Sequence, residues 1–246
     1  MKKRMFLGLL SFSFLLFLVS CKGNVKENSD VNSSHEHVLV SPVLTAEEQA
    51  KLTPQIVLDT LKKGNEEFMS DNLTIRNNTE RVREAAVGQY PMAVILSCLD
   101  SRVPVEDIFH RGIGDLFVAR VAGNVVDTDI LGSLEYACKV SGSKLIVVLG
   151  HEHCGAVKSA IDEVKLGSIT SILEKITPAV NTARKRFEGD ATSKNPAFIE
   201  AVCEDNVHLG VDKVRQSPIL KEMEDKGEIM IVGGVYDMKT GQVHFI

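Results

Sequence analysis

The sequence predicts an α/β fold: a central, mostly parallel β-sheet with a mixed edge, flanked by helices. Three observations predict it. The apolar runs Val94-Ile95-Leu96 and Leu145-Ile146-Val147-Val148-Leu149 carry no polar interruption, the pattern of strands buried on both faces of a parallel sheet. Stretches between such runs repeat apolar residues at helical spacing, as at Ile130, Leu131, Leu134, Ala137 and Cys138. The chain then places Ile229 to Tyr236 and Val243 to Ile246 on either side of Lys239-Thr240-Gly241, a hairpin-like addition that gives the sheet its mixed edge.

With 246 residues, 44% hydrophobic and 25% charged, the chain suits one main domain plus a short extra segment. That segment comes first. Lys2-Lys3-Arg4 precedes the uncharged block Met5 to Val19, too short for a spanning helix, which needs roughly 20 apolar residues. Residues 1–20 therefore read as a signal peptide. Its end, Leu18-Val19-Ser20-Cys21, resembles the lipobox of bacterial lipoproteins, in which the cysteine is acylated. The expectation is lipidation at Cys21, a flexible tether over 21–43, and one main domain over 44–246 anchored to the membrane in a bacterial cell envelope. Residues 22–41 are rich in Asn, Ser, Lys and Glu and bury too little to fold. His35 and His37 fall within that tether and read as solvated. The formal charge of −5 becomes −8 once Lys2, Lys3 and Arg4 leave with the leader, and an acidic chain argues against a nucleic-acid partner.

Taken in order, Thr45-Ala46-Glu47-Glu48 resembles a capping box, and Pro54 suits the first turn of a second helix through Ile56, Val57, Leu58 and Leu61. A short helix is expected over 81–87, and Gly88-Gln89-Tyr90-Pro91 turns the chain into the first strand. After Arg102, Pro104 with Glu106 and Asp107 suits a helix start. Leu116 to Val121 forms the second strand, followed by Ala122-Gly123-Asn124, small residues that let backbone approach a ligand or another strand closely. Helices are expected over 129–140, over 156–165, over 168–187 with an interruption near Pro178, and over 196–216.

Chemistry gathers at the ends of two strands. Ligands bind at the carboxyl ends of parallel strands, and there the first run delivers Cys98, Asp100 and Arg102, the other His151, Glu152, His153 and Cys154. Two thiolates and an imidazole make a three-ligand set suited to zinc, with a fourth position open, as in catalytic sites. A Cys98–Cys154 disulfide is the alternative in an exported chain. The polar flanks weigh against it, since His151, Asp100 and Arg102 crowded at dry strand ends would be costly without a metal or mutual pairing. His153 is expected to point away from the ligands. Cys138 and Cys203 sit at apolar helical spacing and read as packing residues.

Cys98-Leu99-Asp100-Ser101-Arg102 and Gly150-His151-Glu152-His153-Cys154-Gly155 resemble the two zinc motifs of the β-class carbonic anhydrases. The likeness runs from about Leu58 to Ile246. It implies one zinc per chain on Cys98, His151 and Cys154, and hydration of carbon dioxide to bicarbonate and a proton by zinc-bound hydroxide. Asp100 and Arg102 would be the catalytic and regulatory dyad. It also implies a substrate pocket near a subunit boundary, with Gln89, Tyr136 and Gly155 as substrate-binding residues, and a homodimer or higher even-numbered oligomer. Leu99 stands where the family often has Ser, and Val121 where it often has Asn. Two rival functions stay open at this point: hydrolysis of carbon disulfide or carbonyl sulfide by the same ligands, and a structural zinc in a partner-binding surface lipoprotein.

Overall fold

A computed structural model describes residues 42–71 and 78–246. The leader over 1–20, Cys21 and the tether as far as residue 41 lie outside the described residues. Val43, read as the end of the tether, is instead buried, with its N–H on Glu84 Oε2 at 3.2 Å.

Helix α1 (Ala46–Lys51) starts on the expected capping box, in which Thr45 accepts from the Glu48 N–H and the Glu48 carboxylate accepts from the Thr45 N–H. Helix α2 (Pro54–Met69) has Thr53 as its N-cap and Pro54 in its first turn. Helix α3 (Asn78–Ala85) leads into β1 (Ala93–Ser97), and α4 (Val105–Ile108) follows the ligand loop with Pro104 as its N-cap. Strand β2 (Leu116–Arg120) then runs into a single 3-10 turn over 122–124. Helix α5 (Thr128–Glu135) passes without a break into a π-helical turn over 136–140, and β3 (Leu145–His151) follows.

Helix α6 (Gly155–Ile161) and α7 (Ile169–Arg186) come next. Here the expectation of an interruption is corrected, because α7 runs straight through Pro178. Pro178 faces solvent while Ile176, Ala179, Val180 and Ala183 are buried, so packing of one face holds the helix together across the missing N–H. Helix α8 (Pro196–Val214) stops before Ser217, which caps a further helix, α9 (Pro218–Asp225), absent from the sequence reading. Strands β4 (Met230–Tyr236) and β5 (Val243–Phe245) close the chain.

Among the described residues the strands form one sheet in the order β2-β1-β3-β4-β5. All pairs are parallel except β4 with β5, which is the mixed edge expected. Alternate residues divide between two cores. Ala93, Ile95, Leu145, Val147 and Leu149 face α2 and α4, whereas Val94, Leu96, Ile146 and Val148 face α8 and α9. Ile95 has no exposed surface, and truncating such a residue to Ala costs about 2–5 kcal/mol. A third core under α6, α7 and α8 includes Cys98 and Cys154 themselves.

Candidate metal centre

The register puts the site together. Ser97 of β1 pairs with Leu149 of β3, so Cys98 and His151 leave the sheet one and two residues past the same rung. A Gly-bounded turn then brings Cys154 back as the N-cap of α6. The Cys98 and Cys154 sulfurs and a His151 nitrogen all lie within 4.8 Å of one another, and all three residues are buried. Both cysteines are free, so the disulfide alternative does not hold. His153 stays out of the set, with φ at +54° between two ligands. Glu152 is pinned to the end of β4, its N–H on the Tyr236 carbonyl and its Oε2 accepting from the Met238 N–H at 3.1 Å each.

Whether these residues fit a metal is decided by His151. Its Nδ1 lies 2.8 Å from the Glu152 carbonyl, which can only accept, so the ring proton resides on Nδ1. Nε2 is left with a bare lone pair, buried and without a hydrogen-bond partner. Such an orphaned acceptor costs stability unless something binds it. The thiols tell the same story: the Cys154 thiol and the Gly123 N–H hold the Cys98 thiol below its ordinary range against the effect of burial. The same pairing, reinforced by burial, pushes the Cys154 thiol well up. Two buried sulfurs and one imidazole with an unpartnered nitrogen make a donor set that fits zinc.

Asp100 stands at the open side of this set, with Oδ2 4.0 Å from His151 Nε2. Arg102 grips both of its oxygens, Nε to Oδ1 at 2.9 Å and Nη2 to Oδ2 at 2.8 Å, and its backbone N–H adds a bond to Oδ1 at 3.0 Å. The guanidinium therefore holds the Asp100 carboxyl well below the usual carboxylate range. Asp100 is mostly covered while Arg102 is about half exposed, which limits what the pair adds to stability.

Further residues around the site carry no obvious signature in the sequence. Gly123, at φ +68°, donates its N–H to Cys98 Sγ at 3.3 Å, and its own carbonyl accepts from the buried Asn206 Nδ2 at 2.9 Å. A Cβ there would come within 2.6 Å of Ile176 Cδ1. Arg120 donates to the backbone carbonyls of Cys98 and Asp100. The small-residue run at 122–124 pointed to close approach of backbone, but nothing marked Asn206 or Arg120.

The substrate-binding residues expected from the resemblance are placed less closely. Gly155 follows Cys154 directly and is open to solvent. Gln89 is exposed and precedes the amino end of β1, so a strand of five residues, roughly 17 Å, separates it from Cys98 in its own chain. Tyr136 is 52% exposed and lines a surface groove with Phe117, Val118, Ala119 and Ser133, away from the metal ligands. The structure brings together Cys98, Asp100, Arg102, His151, Cys154 and Gly155, and leaves Gln89 and Tyr136 apart from them.

A family model described as carbonic anhydrase matches residues 93–243, from the first residue of β1 to the first of β5. The carbonic anhydrase of Mycolicibacterium smegmatis is 44% identical over 203 residues, covering 77% of this chain and 92% of that protein. Carbonic anhydrase 2 of Mycobacterium tuberculosis is 35% identical over 195 residues, covering 77% and 91%. Among solved structures, the β-carbonic anhydrase of Coccomyxa superposes with a TM-score of 0.59 at 25% identity, covering 77% of this chain and 81% of that one. A β-carbonic anhydrase of Sordaria macrospora gives 0.64 at 24% identity, covering 69% and 87%. A parallel sheet that delivers a Cys-His-Cys set to one edge, matched over most of its length by these relatives, defines a lyase of the zinc type. The chain belongs to the carbonic anhydrase family, in its β class. Zinc is that class's cofactor, and Cys98, His151 and Cys154 are suited to hold one ion.

Proposed function

We propose that the chain interconverts carbon dioxide and bicarbonate with zinc on Cys98, His151 and Cys154, and with Asp100 and Arg102 as the working dyad. The observation that supports this best is the buried, unpartnered Nε2 of His151, 4.0 Å from the Asp100 carboxylate, in a cluster where the two thiol sulfurs and a His151 nitrogen lie within 4.8 Å of one another. Zinc held by Cys98, His151 and Cys154 would lower the pKa of a water molecule toward neutrality and so supply the nucleophile that hydration needs. The ionised Asp100 is acceptor-only, so a reacting water that donates to it turns a lone pair outward, toward carbon dioxide. Arg102 keeps that carboxylate ionised and held by both oxygens. Freed from Arg102, Asp100 would be near enough to reach a metal held on these residues, so the ion pair would keep the carboxylate back from it.

Gln89, Tyr136 and Gly155 are assigned to the substrate pocket. Because Gln89 lies at the far end of β1, a second chain would have to supply it, which fits a homodimer or larger even-numbered oligomer. The Sordaria macrospora neighbour is described as tetrameric. Cys21 is assigned as the lipid attachment in a bacterial cell envelope, on the strength of the leader and its Leu18-Val19-Ser20-Cys21 end. No helix among the described residues is long and apolar enough to cross a membrane. The test of the dyad is Asp100→Asn. It should retain about one zinc per chain and lose most turnover, because the amide cannot accept from water and hold Arg102 by charge as the carboxylate does. Hydration at the parent rate across the whole pH range would remove Asp100 from the reaction.

A further inference from the structure

The backbone ladder between β1 and β2 ends at Ser97 and Arg120, which are register partners. One more rung follows, from the Val121 N–H to the Ser97 carbonyl at 3.1 Å. Past it, β1 becomes the ligand loop, and its carbonyls have left the strand that would satisfy them. The side chain of Arg120 takes over that task. Its Nε donates to the Cys98 carbonyl at 2.9 Å and its Nη2 to the Asp100 carbonyl at 2.5 Å. Between the buried Cys98 and the buried Val103, the loop has little cover. Leu99 is 61% exposed, and Ser101 and Arg102 also face solvent. Apolar packing therefore cannot set the conformation of residues 99–102. Charge-assisted hydrogen bonds from a planar fork can, because a guanidinium presents its donors in a fixed geometry.

We propose that Arg120 is a positioning residue for the hydration reaction, whose guanidinium bridges the Cys98 and Asp100 carbonyls and so fixes the metal-binding thiol relative to the reacting carboxylate. The two residues it joins have different tasks, one holding the ion and the other orienting water. An error of about 1 Å between such groups is enough to cost on the order of a hundredfold in rate. Arg120 touches neither the thiol nor the carboxylate itself, and it acts through backbone. The proposal rests on the reading of Asp100 as a working residue of the dyad.

The test uses the full-length zinc protein and three variants, Arg120→Ala, Arg120→Lys and Asp100→Asn. Amide hydrogen exchange is read at Arg102, whose N–H is held by Asp100 Oδ1, and at Val103, whose N–H is held by the Asp100 carbonyl. With Arg120→Ala, both amides should exchange about tenfold faster or more while core strand amides do not change. The kcat for hydration should fall about tenfold or more with KM little altered, and zinc should stay at one per chain. Arg120→Lys, which keeps the charge but not the fork, should recover part of both. Unchanged exchange, unchanged kcat, or a loss confined to KM would each overturn the proposal, the last because it would mean direct contact with substrate. If Arg120→Ala does not fold, Arg120→Gln carries the same readouts. Asp100→Asn separates the two readings: turnover at the parent rate sinks the dyad. An inactive Asp100→Asn beside an Arg120→Ala that matches the parent sinks the clamp alone.

Discussion

At the scale of single residues, the centre depends on how each donor atom is held from behind. His151 offers Nε2 because the Glu152 carbonyl claims the proton on Nδ1, and the Cys98 thiol is held below its ordinary range by Cys154 and by the Gly123 N–H on its sulfur. Gly123→Ala tests that support. The new Cβ would meet Ile176 Cδ1 at 2.6 Å, and φ at +68° is strained for an L side chain. A loss of about 1–3 kcal/mol in denaturant unfolding is expected, with weaker zinc retention in competition with a chelator. A variant as stable and as zinc-tight as the parent would show that the Gly123 N–H does not matter to Cys98. The ligands were legible in the sequence because soft donors at strand ends have few other uses. Arg120 and Asn206 were not, since they act on backbone carbonyls, and a carbonyl's partner leaves no mark in the residue types around it.

At the scale of elements, the strands and most helices followed from periodicity, because burial on both faces of β1 and β3 leaves an unbroken apolar run. Two helices did not follow. Helix α9 was passed over although Ser217-Pro218 is a cap and first-turn pair and Leu220 and Met223 have helical spacing. It is only eight residues long, and its signal is one turn beyond the end of a stronger helix. Helix α7 was expected to break at Pro178, a local rule that tertiary burial of its apolar face overrides. The cost of that proline should still be measurable. Pro178→Ala restores the missing N–H at an exposed position and should raise stability by about 1–3 kcal/mol without changing activity. A lower melting temperature would mean that the proline shapes α7 to fit α8.

At the scale of the whole molecule, one chain brings Cys98, His151 and Cys154 together with the Asp100–Arg102 pair but leaves Gln89 and Tyr136 on its outer surface. The groove beside Tyr136, about 560 Å³ and lined by the exposed edge of β2 and by α5, suits a second copy of the chain. Sedimentation of protein beginning at Val43 should therefore show a dimer or a larger even-numbered species at micromolar concentration. A fully active monomer would contradict a site built from two chains. The central claim, that Cys98, His151 and Cys154 hold the zinc that hydrates carbon dioxide, is tested most directly by measuring zinc content and carbon dioxide hydration together in the parent and in Cys154→Ser. About one zinc per chain and rapid hydration are expected in the parent, with both lost in the variant. Full zinc and full activity in Cys154→Ser, or hydration by a parent protein that carries no metal, would contradict the claim.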